Sequence, residues 1–466
     1  MNRSSLRWYY GGFIGILIAV LAFQLIWLPA PLVMQPQLEW ISVVDWLYYG
    51  LLLIPVCWLI GAWQTLRMKR ASLHAAGTSE KRSWMALLPA LLIVAVSIVL
   101  IILLLNPLQY LQADLALLAV LLLLVGFELL RSRLALKKLL AMFAGYAVAL
   151  LLLLCPTGYQ VTYPAMTMNM NQYAQFTEAT ASEQQGWIDG VLVFDRPAFP
   201  IDWLYAKLLP QVELRKQAAD EPGIRETYSQ VVQMKNDANQ LAAATAWEHA
   251  GKGKAILFDG VGVIAVVADS PADGVIYAGD IIESVDNHTI VNHLALQQYM
   301  NSQIKPGDQI EIELRRAEQL VTVKLETIAA DDDPARPILG IIIQDAYHIE
   351  LPQGIALSSY LLHAGGPSHG AMLTLALLNQ LTAGDITGGL HVAGTGTIEV
   401  DGRVGMVGGI PQKAYAVSRT DADVFFVPLE GEAAARAAAP QLNVVAVETF
   451  EDIVKWLEQH APPQAQ

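Results

Sequence analysis

The chain has 466 residues, 54% of them hydrophobic and only 15% charged, with 29 basic against 43 acidic side chains and a net charge of −14. So apolar a composition excludes disorder over most of the length, and the acidic balance argues against a general nucleic-acid binder. Two cysteines, Cys57 and Cys155, are too few for a disulfide framework or a CxxC-type zinc site.

The averages conceal two materials. Residues 1–156 carry 11 Lys+Arg and 5 Asp+Glu, whereas the remainder carries 18 and 38. The first part holds five apolar runs, near 11–33, 46–66, 84–105, 113–130 and 139–156. A helix crosses the hydrocarbon core in about 20 residues, so these read as transmembrane spans. The basic residues lie before span one (Arg3, Arg7), between spans two and three (Arg67, Lys69, Arg70, Lys81, Arg82) and between spans four and five (Arg131, Arg133, Lys137, Lys138). All fall on one side, which the positive-inside rule makes cytoplasmic. Five crossings then place residues 157–466 outside the cytoplasm. Trp8, Tyr9 and Tyr10 fit an inner aromatic belt, and Trp40, Trp46, Tyr48 and Tyr49 an outer one. Asp114 and Glu128 stand near span ends, which gives a transport role little support.

Residues 157–254 carry no recognisable chemistry and read as an extracytoplasmic stalk or cap. A strand is expected at Gly190-Val-Leu-Val-Phe, with helices over 202–217 and 224–250. The alternation of Met166, Met168 and Met170 reads as one face of a strand.

Residues 255–328 follow an order of strand, turn and helix: Gly260-Val-Gly-Val-Ile-Ala-Val-Val, Asp269-Ser-Pro-Ala, Ala278-Gly-Asp-Ile-Ile-Glu-Ser-Val-Asp, a helix over Leu294–Ser302, then Lys305-Pro-Gly-Asp before an alternating strand. This pattern resembles a PDZ domain, β-rich with helices. The resemblance implies a groove in which an extended peptide adds to a sheet edge, with free N–H groups at Gly260, Val261, Gly262 and Val263 to capture a carboxylate. The polar, proline-containing stretch Ala329–Pro337 reads as a boundary.

Residues 338–460 hold the chemistry. Leu339-Gly-Ile-Ile-Ile reads as a buried strand. In Gly365-Gly-Pro-Ser-His-Gly, Pro367 is placed to open an apolar helix that Gly384 closes. Ser368 would stand at its N-terminus, where free N–H groups and the positive dipole end stabilise an oxyanion. Asp401-Gly402 reads as a hairpin turn, and Pro411 opens a second helix with Lys413 in its first turn. An ammonium there faces the positive end of the helix dipole, and burial would lower its pKa further. A neutral amine could accept the proton of Ser368.

The segments GGPSHG and AGTGTIEVDGRVGMVGGIPQK resemble the α/β proteolytic domain of the Lon family of Ser–Lys peptidases over about 120 residues. The PDZ-before-Lon order resembles the membrane-anchored, PDZ-containing Lon-like proteases (the YlbL or SepM group). The resemblance implies Ser368 as nucleophile, Lys413 as general base, Thr395 as the hydroxyl supporting the lysine, and an oxyanion loop at Gly366, Pro367 and His369. His369 departs from the small residue that usually follows the serine.

The expected protein is therefore multi-domain: about five transmembrane spans, a stalk or cap, a PDZ domain and an α/β proteolytic domain. It would cleave exported or membrane-proximal peptides and proteins. GxxxxGK[ST] and HExxH are both absent, so neither ATP nor a metal or other cofactor is called for. The remaining histidines are expected to be structural or at the surface. Two competing readings are a catalytically silent PDZ scaffold and a self-processing membrane regulator, and a homo-oligomer is left open.

Overall fold

A computed structural model describes residues 3–462 apart from 25, 27–45, 76–79, 106, 132–135, 179–185, 219–223, 318, 331, 359 and 361–364. The N-terminal part is helical: α1 Arg3–Gln24, α2 Leu53–Ala75, α3 Glu80–Leu104, α4 Pro107–Arg131 and α5 Leu136–Leu154. Among the described residues, four stretches are long and apolar enough to cross a membrane: Ser4–Gln24, Trp46–Leu73, Trp84–Leu104 and Gln112–Arg131. The expected fifth span falls on α5, whose described apolar stretch is the shorter Phe143–Leu154. The stretch 27–33 of the expected first span, and Trp40 of the outer belt, lie outside the described residues.

Three polar pairings lie inside this bundle. Trp58 Nε1 donates to the Tyr9 carbonyl at 3.1 Å, Lys69 Nζ to Glu128 Oε1 at 2.6 Å, and Tyr48 to Asp114 at 3.3 Å. Each pairing satisfies a group that would be costly to leave bare in hydrocarbon.

Beyond the bundle the order is β1 Tyr159–Asn169, β2 Trp187–Pro197, α6 Asp202–Leu208, β3 Glu213–Lys216, α7 Ile224–His249, β4 Ile256–Val266 and β5 Ile281–Val285. It continues with α8 His293–Gln303, β6 Gln309–Arg316, β7 Gln319–Glu326, β8 Ile341–Ile349, α9 Gly370–Leu381, β9 His391–Gly394 and α10 Ile410–Val417. The chain closes with β10 Val424–Pro428, α11 Glu432–Ala438, β11 Val444–Val447 and α12 Phe450–His460.

One six-stranded sheet has the order β11-β10-β9-β2-β1-β3. β2, β9, β10 and β11 run parallel, while β1 runs opposite and pairs antiparallel with both β2 and β3. This corrects the stalk reading, because residues 159–216 supply three strands of the sheet that carries the candidate active site. The expected helix over 202–217 is also corrected. It ends at Leu208, Pro210 follows, and the chain resumes as β3. Proline removes a helix donor and clashes with the preceding turn, so the helix cannot pass it. The helix expected over 224–250 is present as α7.

Met166, Met168 and Met170 are all buried in the core of this unit; the first two lie on β1, whereas Met170 falls beyond the expected strand and opens the short helix Met170–Tyr173. Helix α9 is buried on nearly every face, from Gly370 to Asn379. Its neighbour α7 presents Leu241, Ala242, Ala243, Ala244 and Ala246 to the same core. The small side chains let the two helices approach closely.

A second sheet has the order β8-β4-β5-β6-β7 around its own core, which includes Val261, Ile282, Leu296 and Leu314. Asn292 caps α8 by accepting from Ala295 N at 2.9 Å. Asp280 of the Gly-Asp motif is buried and accepts from Arg316 Nε at 2.8 Å and Nη2 at 2.6 Å and from Tyr277 N at 2.9 Å. Burial pushes its carboxyl upward, but these bonds outweigh that and hold it below the usual carboxylate range. The strand at Leu339–Ile343 was expected to be buried in the proteolytic domain. It proves to be β8, half-exposed, the edge strand of this second sheet.

Candidate active site

Three segments meet at the C-terminal end of β9. The first is the 3-10 turn Pro367–His369 that leads into α9. The second is Thr395-Gly396, directly after β9. The third is the first turn of α10. The Ser368 carbonyl accepts from Gly396 N at 2.9 Å and from Thr395 Oγ1 at 3.0 Å. Ala371 N returns a bond to the Gly396 carbonyl at 3.1 Å. The serine turn is thus stapled to the end of the strand. Gly396 has φ +153°, and a Cβ there would lie 2.3 Å from Val404 Cγ1, so only glycine fits.

Helix α10 starts at Gly409, whose φ of +71° is left-handed and whose Cβ position lies 2.9 Å from Val193 Cγ1. Pro411 follows within the first turn, as expected. Lys413 sits one turn in and is 1% exposed. Its Nζ donates to Thr395 Oγ1 at 2.8 Å. Among the described residues no carboxylate lies within ion-pair distance of it. Burial alone pushes the amine down to about 7.

The proton inventory is informative. Thr395 has a single hydroxyl hydrogen, committed to the Ser368 carbonyl, so its oxygen must accept from Lys413. A neutral Lys413 can give one hydrogen to Thr395 and still keep its lone pair for another donor. Ser368, Thr395 and Lys413, expected together from sequence, are brought together here, with Ser368 half-buried.

His369 turns away from this group. It is fully buried, its Nε2 lies 3.0 Å from Asn239 Oδ1 on α7, and its ring meets Tyr173 edge-on with centroids 5.5 Å apart. Asn239 Nδ2 in turn donates to the Tyr173 hydroxyl at 3.4 Å. The histidine therefore ties the serine turn to α7. Sequence reasoning missed Asn239 and Tyr173: neither sits in a motif, and Asn239 precedes an alanine-rich run that reads only as helix. His391 is also structural, placed between Asp189 at 3.0 Å and Asp421 at 2.8 Å at the other end of β9. Burial opposes its charge, but the two carboxylates together hold its pKa above the usual histidine value.

The peptide-binding expectation at Gly260, Val261, Gly262 and Val263 needs correction. These residues lie inside the second sheet, paired with Ile343–Ala346 of β8 on one side. On the other side Val261 and Gly262 pair with β5, and Val263 N donates to the Asp280 carbonyl at 2.8 Å. Their N–H groups are occupied by the sheet. β8 is one edge of this sheet, β7 the other, and β8 lies beside α8. Asp345 of β8 clasps the start of α8, with Oδ1 2.5 Å from His293 N and Oδ2 2.7 Å from His293 Nδ1.

Comparison with known proteins finds two domains in the same order, although the matched ranges divide β8 and α7 differently from the sheets. Residues 230–327 match the PDZ domain family, and residues 340–459 match the Lon protease (S16) C-terminal proteolytic domain. The chain carries a PDZ domain followed by a Lon-type proteolytic domain. A Lon protease from Aster yellows witches'-broom phytoplasma is 28% identical over 118 residues, which is 24% of this chain and 14% of that protein. The chain thus spans a small part of that relative's length. Among solved structures, the PDZ domains of SdrC-like proteins from Listeria monocytogenes and Listeria innocua are each 28% identical. They cover 18% of this chain and 88% and 93% of theirs, with TM-scores of 0.17.

Proposed function

We propose that this chain is an ATP-independent, membrane-anchored serine endopeptidase. The observation that carries the reading is the buried amine of Lys413, unpaired by any described carboxylate and bonded to the threonine that holds Ser368. A silent scaffold has no use for such a group, since burying an amine costs stability unless something is gained from it.

In this reading Ser368 Oγ attacks the peptide carbonyl carbon while its proton passes to Lys413 Nζ. Backbone N–H groups of the Gly366–His369 turn hold the oxyanion; Pro367 has none to offer, which leaves those of Gly366, Ser368 and His369. The tetrahedral intermediate collapses, and the leaving amine takes the proton from Lys413. Water then attacks the acyl ester, gives its proton to Lys413, and the proton returns to Ser368. Thr395 fixes the amine so that its lone pair faces the serine.

The anchoring proposal rests on the four apolar helices, with α5 as a fifth crossing. Its 19 residues span about 28 Å at 1.5 Å each, close to the hydrocarbon thickness. With the basic residues inside, the PDZ and proteolytic domains lie outside the cytoplasm. Substrates would be flexible, exported or membrane-proximal chains, selected by strand addition at β8.

The test incubates the full-length protein in detergent with an unfolded protein, without ATP, and identifies products by mass spectrometry. Cleavage by the parent, absent in Ser368→Ala and Lys413→Ala, is expected. Inertness of the folded parent on every substrate would favour the scaffold instead, and a mass change confined to the chain itself would favour self-processing. Orientation is read separately: a membrane-impermeant maleimide should label Cys155 in intact cells, and Cys155→Ser should abolish that labelling.

A further inference from the structure

Helix α6 is seven residues long, too short to hold itself, yet it is firmly fixed on one side. Asp202, fully buried, accepts from Arg196 Nη1 at 2.8 Å, Arg196 Nη2 at 2.9 Å, Tyr163 Oη at 2.6 Å and Phe199 N at 2.6 Å. The Arg196 guanidinium also lies 4.4 Å from the centroid of the Phe199 ring. The other side of α6 is bare and apolar. Trp203 is 37% exposed, Leu204 50% and Leu208 68%. Tyr159 extends the patch, its ring edge-on to Trp203 with centroids 5.3 Å apart.

The place of this patch is the decisive feature. Ile201 N donates to the Leu152 carbonyl at 3.1 Å, so the start of α6 caps the last turn of α5. Thr157 N donates to the Ala198 carbonyl at 3.0 Å, which pins the intervening chain as well. From Leu152 to the end of α5 is a rise of about 3 Å. Leu151 and Leu154 of that turn are themselves exposed. The bare face of α6 is therefore continuous with the lipid-facing end of α5, at the depth where a bilayer core gives way to headgroups. Tryptophan and tyrosine prefer that depth, and the exposed Lys207 can extend its ammonium to phosphates.

We propose that α6, together with Tyr159, lies in the bilayer interface beside α5 and seats the proteolytic domain on the membrane. The proposal rests on the reading of α5 as a membrane crossing. Its consequence is that β1, β2 and the site they support are held at a fixed height, since Asp202 joins α6 to both strands through Tyr163 and Arg196. Substrates emerging from the bilayer would meet the site without a search by a swinging domain.

The test reconstitutes the full-length chain, with Cys57→Ser and Cys155→Ser, into phosphatidylcholine vesicles. Single cysteines at Leu208, Trp203, Leu151 and Glu430 carry an environment-sensitive fluorophore, and the lipids carry bromine either near the headgroup or deep in the chain. Labels on Leu208→Cys and Trp203→Cys should lose emission to the shallow bromines, and the label on Glu430→Cys should not. Quenching on Leu151→Cys with none on either α6 label overturns the seat. No quenching on Leu151→Cys overturns the α5 crossing itself, and the seat with it.

Discussion

Replacing Lys413 by methionine separates the cost of the buried amine from its use. Burial lowers its pKa from the ordinary 10.5 to about 7. Each pKa unit corresponds to about 1.4 kcal/mol, so the fold disfavours the ammonium form by about 5 kcal/mol. Below pH 7 the lysine is protonated in both folded and unfolded chains, and the full penalty applies. Between pH 7 and roughly 10.4 the unfolded chain holds the proton and the folded one does not, so this group makes stability rise with pH. Above that window it contributes nothing. Methionine has nearly the same length and no charge. At pH 6 Lys413→Met should be more stable than the parent by a few kcal/mol, the penalty less about 1 kcal/mol for the lost bond to Thr395. The advantage should shrink steadily toward pH 9. Urea unfolding of both full-length proteins in detergent, read by tryptophan fluorescence at pH 6, 7.5 and 9, gives the difference, in which all other titrating groups cancel. In parallel, kcat/KM of the parent should climb with pH up to about 7 and then level, while Lys413→Met is inactive. A variant less stable at pH 6, a stability difference that ignores pH, or an acid limb of activity centred above pH 9 would exclude a buried amine that loses its proton near neutrality.

Thr395→Val removes the hydroxyl that joins Lys413 to the Ser368 carbonyl; kcat should fall at least tenfold, whereas Thr395→Ser should restore much of it, measured at a pH on the plateau. Asn239→Leu leaves His369 Nε2 without its acceptor, at a cost of about 1–3 kcal/mol, and should loosen the serine turn. In steady-state kinetics kcat should drop with KM little changed, and Asn239→Asp, which keeps an acceptor, should retain more activity than leucine. A hydrophobic peptide bound at the PDZ domain should slow amide hydrogen exchange along Ile341–Ile349 and leave Gln319–Glu326, the opposite edge, unchanged; protection of the opposite edge alone would refute the assignment of β8.

The candidate site residues were readable because each is placed by chemistry local to it. Pro411 and Gly409 start α10, Gly396 fits only a glycine, and Asp401-Gly402 turns the hairpin between them, so the stretch 392–413 announces its own shape. The membership of residues 159–216 in the same sheet was not readable in that way. Gly190 pairs with Gly394 across some two hundred positions, and parallel strands leave no turn signal to join them. The strand at Gly190 was expected as a strand, but its partner is chosen by tertiary packing, which no local pattern records. The edge of the second sheet was hidden for the same reason. Gly260–Val263 looks like a loop that offers its N–H groups until β8 arrives from eighty residues downstream and takes them.

The pairing of β8 with β4, together with the packing of α7, also means that a cut at residue 338 does not follow the boundary between the two domains. β8, the edge strand of the PDZ sheet, follows the boundary suggested by the two prolines, and α7, which precedes the PDZ strands, packs on α9. Glu248 near the end of α7 accepts from Ala255 N at 2.8 Å and Ile256 N at 2.9 Å, the entry to β4, and β4 is the strand against which β8 is laid. The same helix carries Asn239 to His369, next to Ser368. A displacement of β8 therefore has a short path of contacts to Ser368: from β8 to β4, through Glu248 to α7, and through Asn239 to the serine turn. Deleting the PDZ strands would strip α7 of one anchor and leave His369 dependent on a helix held at one end. Such a deletion should cost activity on small peptides that never touch the PDZ groove, whereas a PDZ domain that only captured substrate would leave their hydrolysis intact.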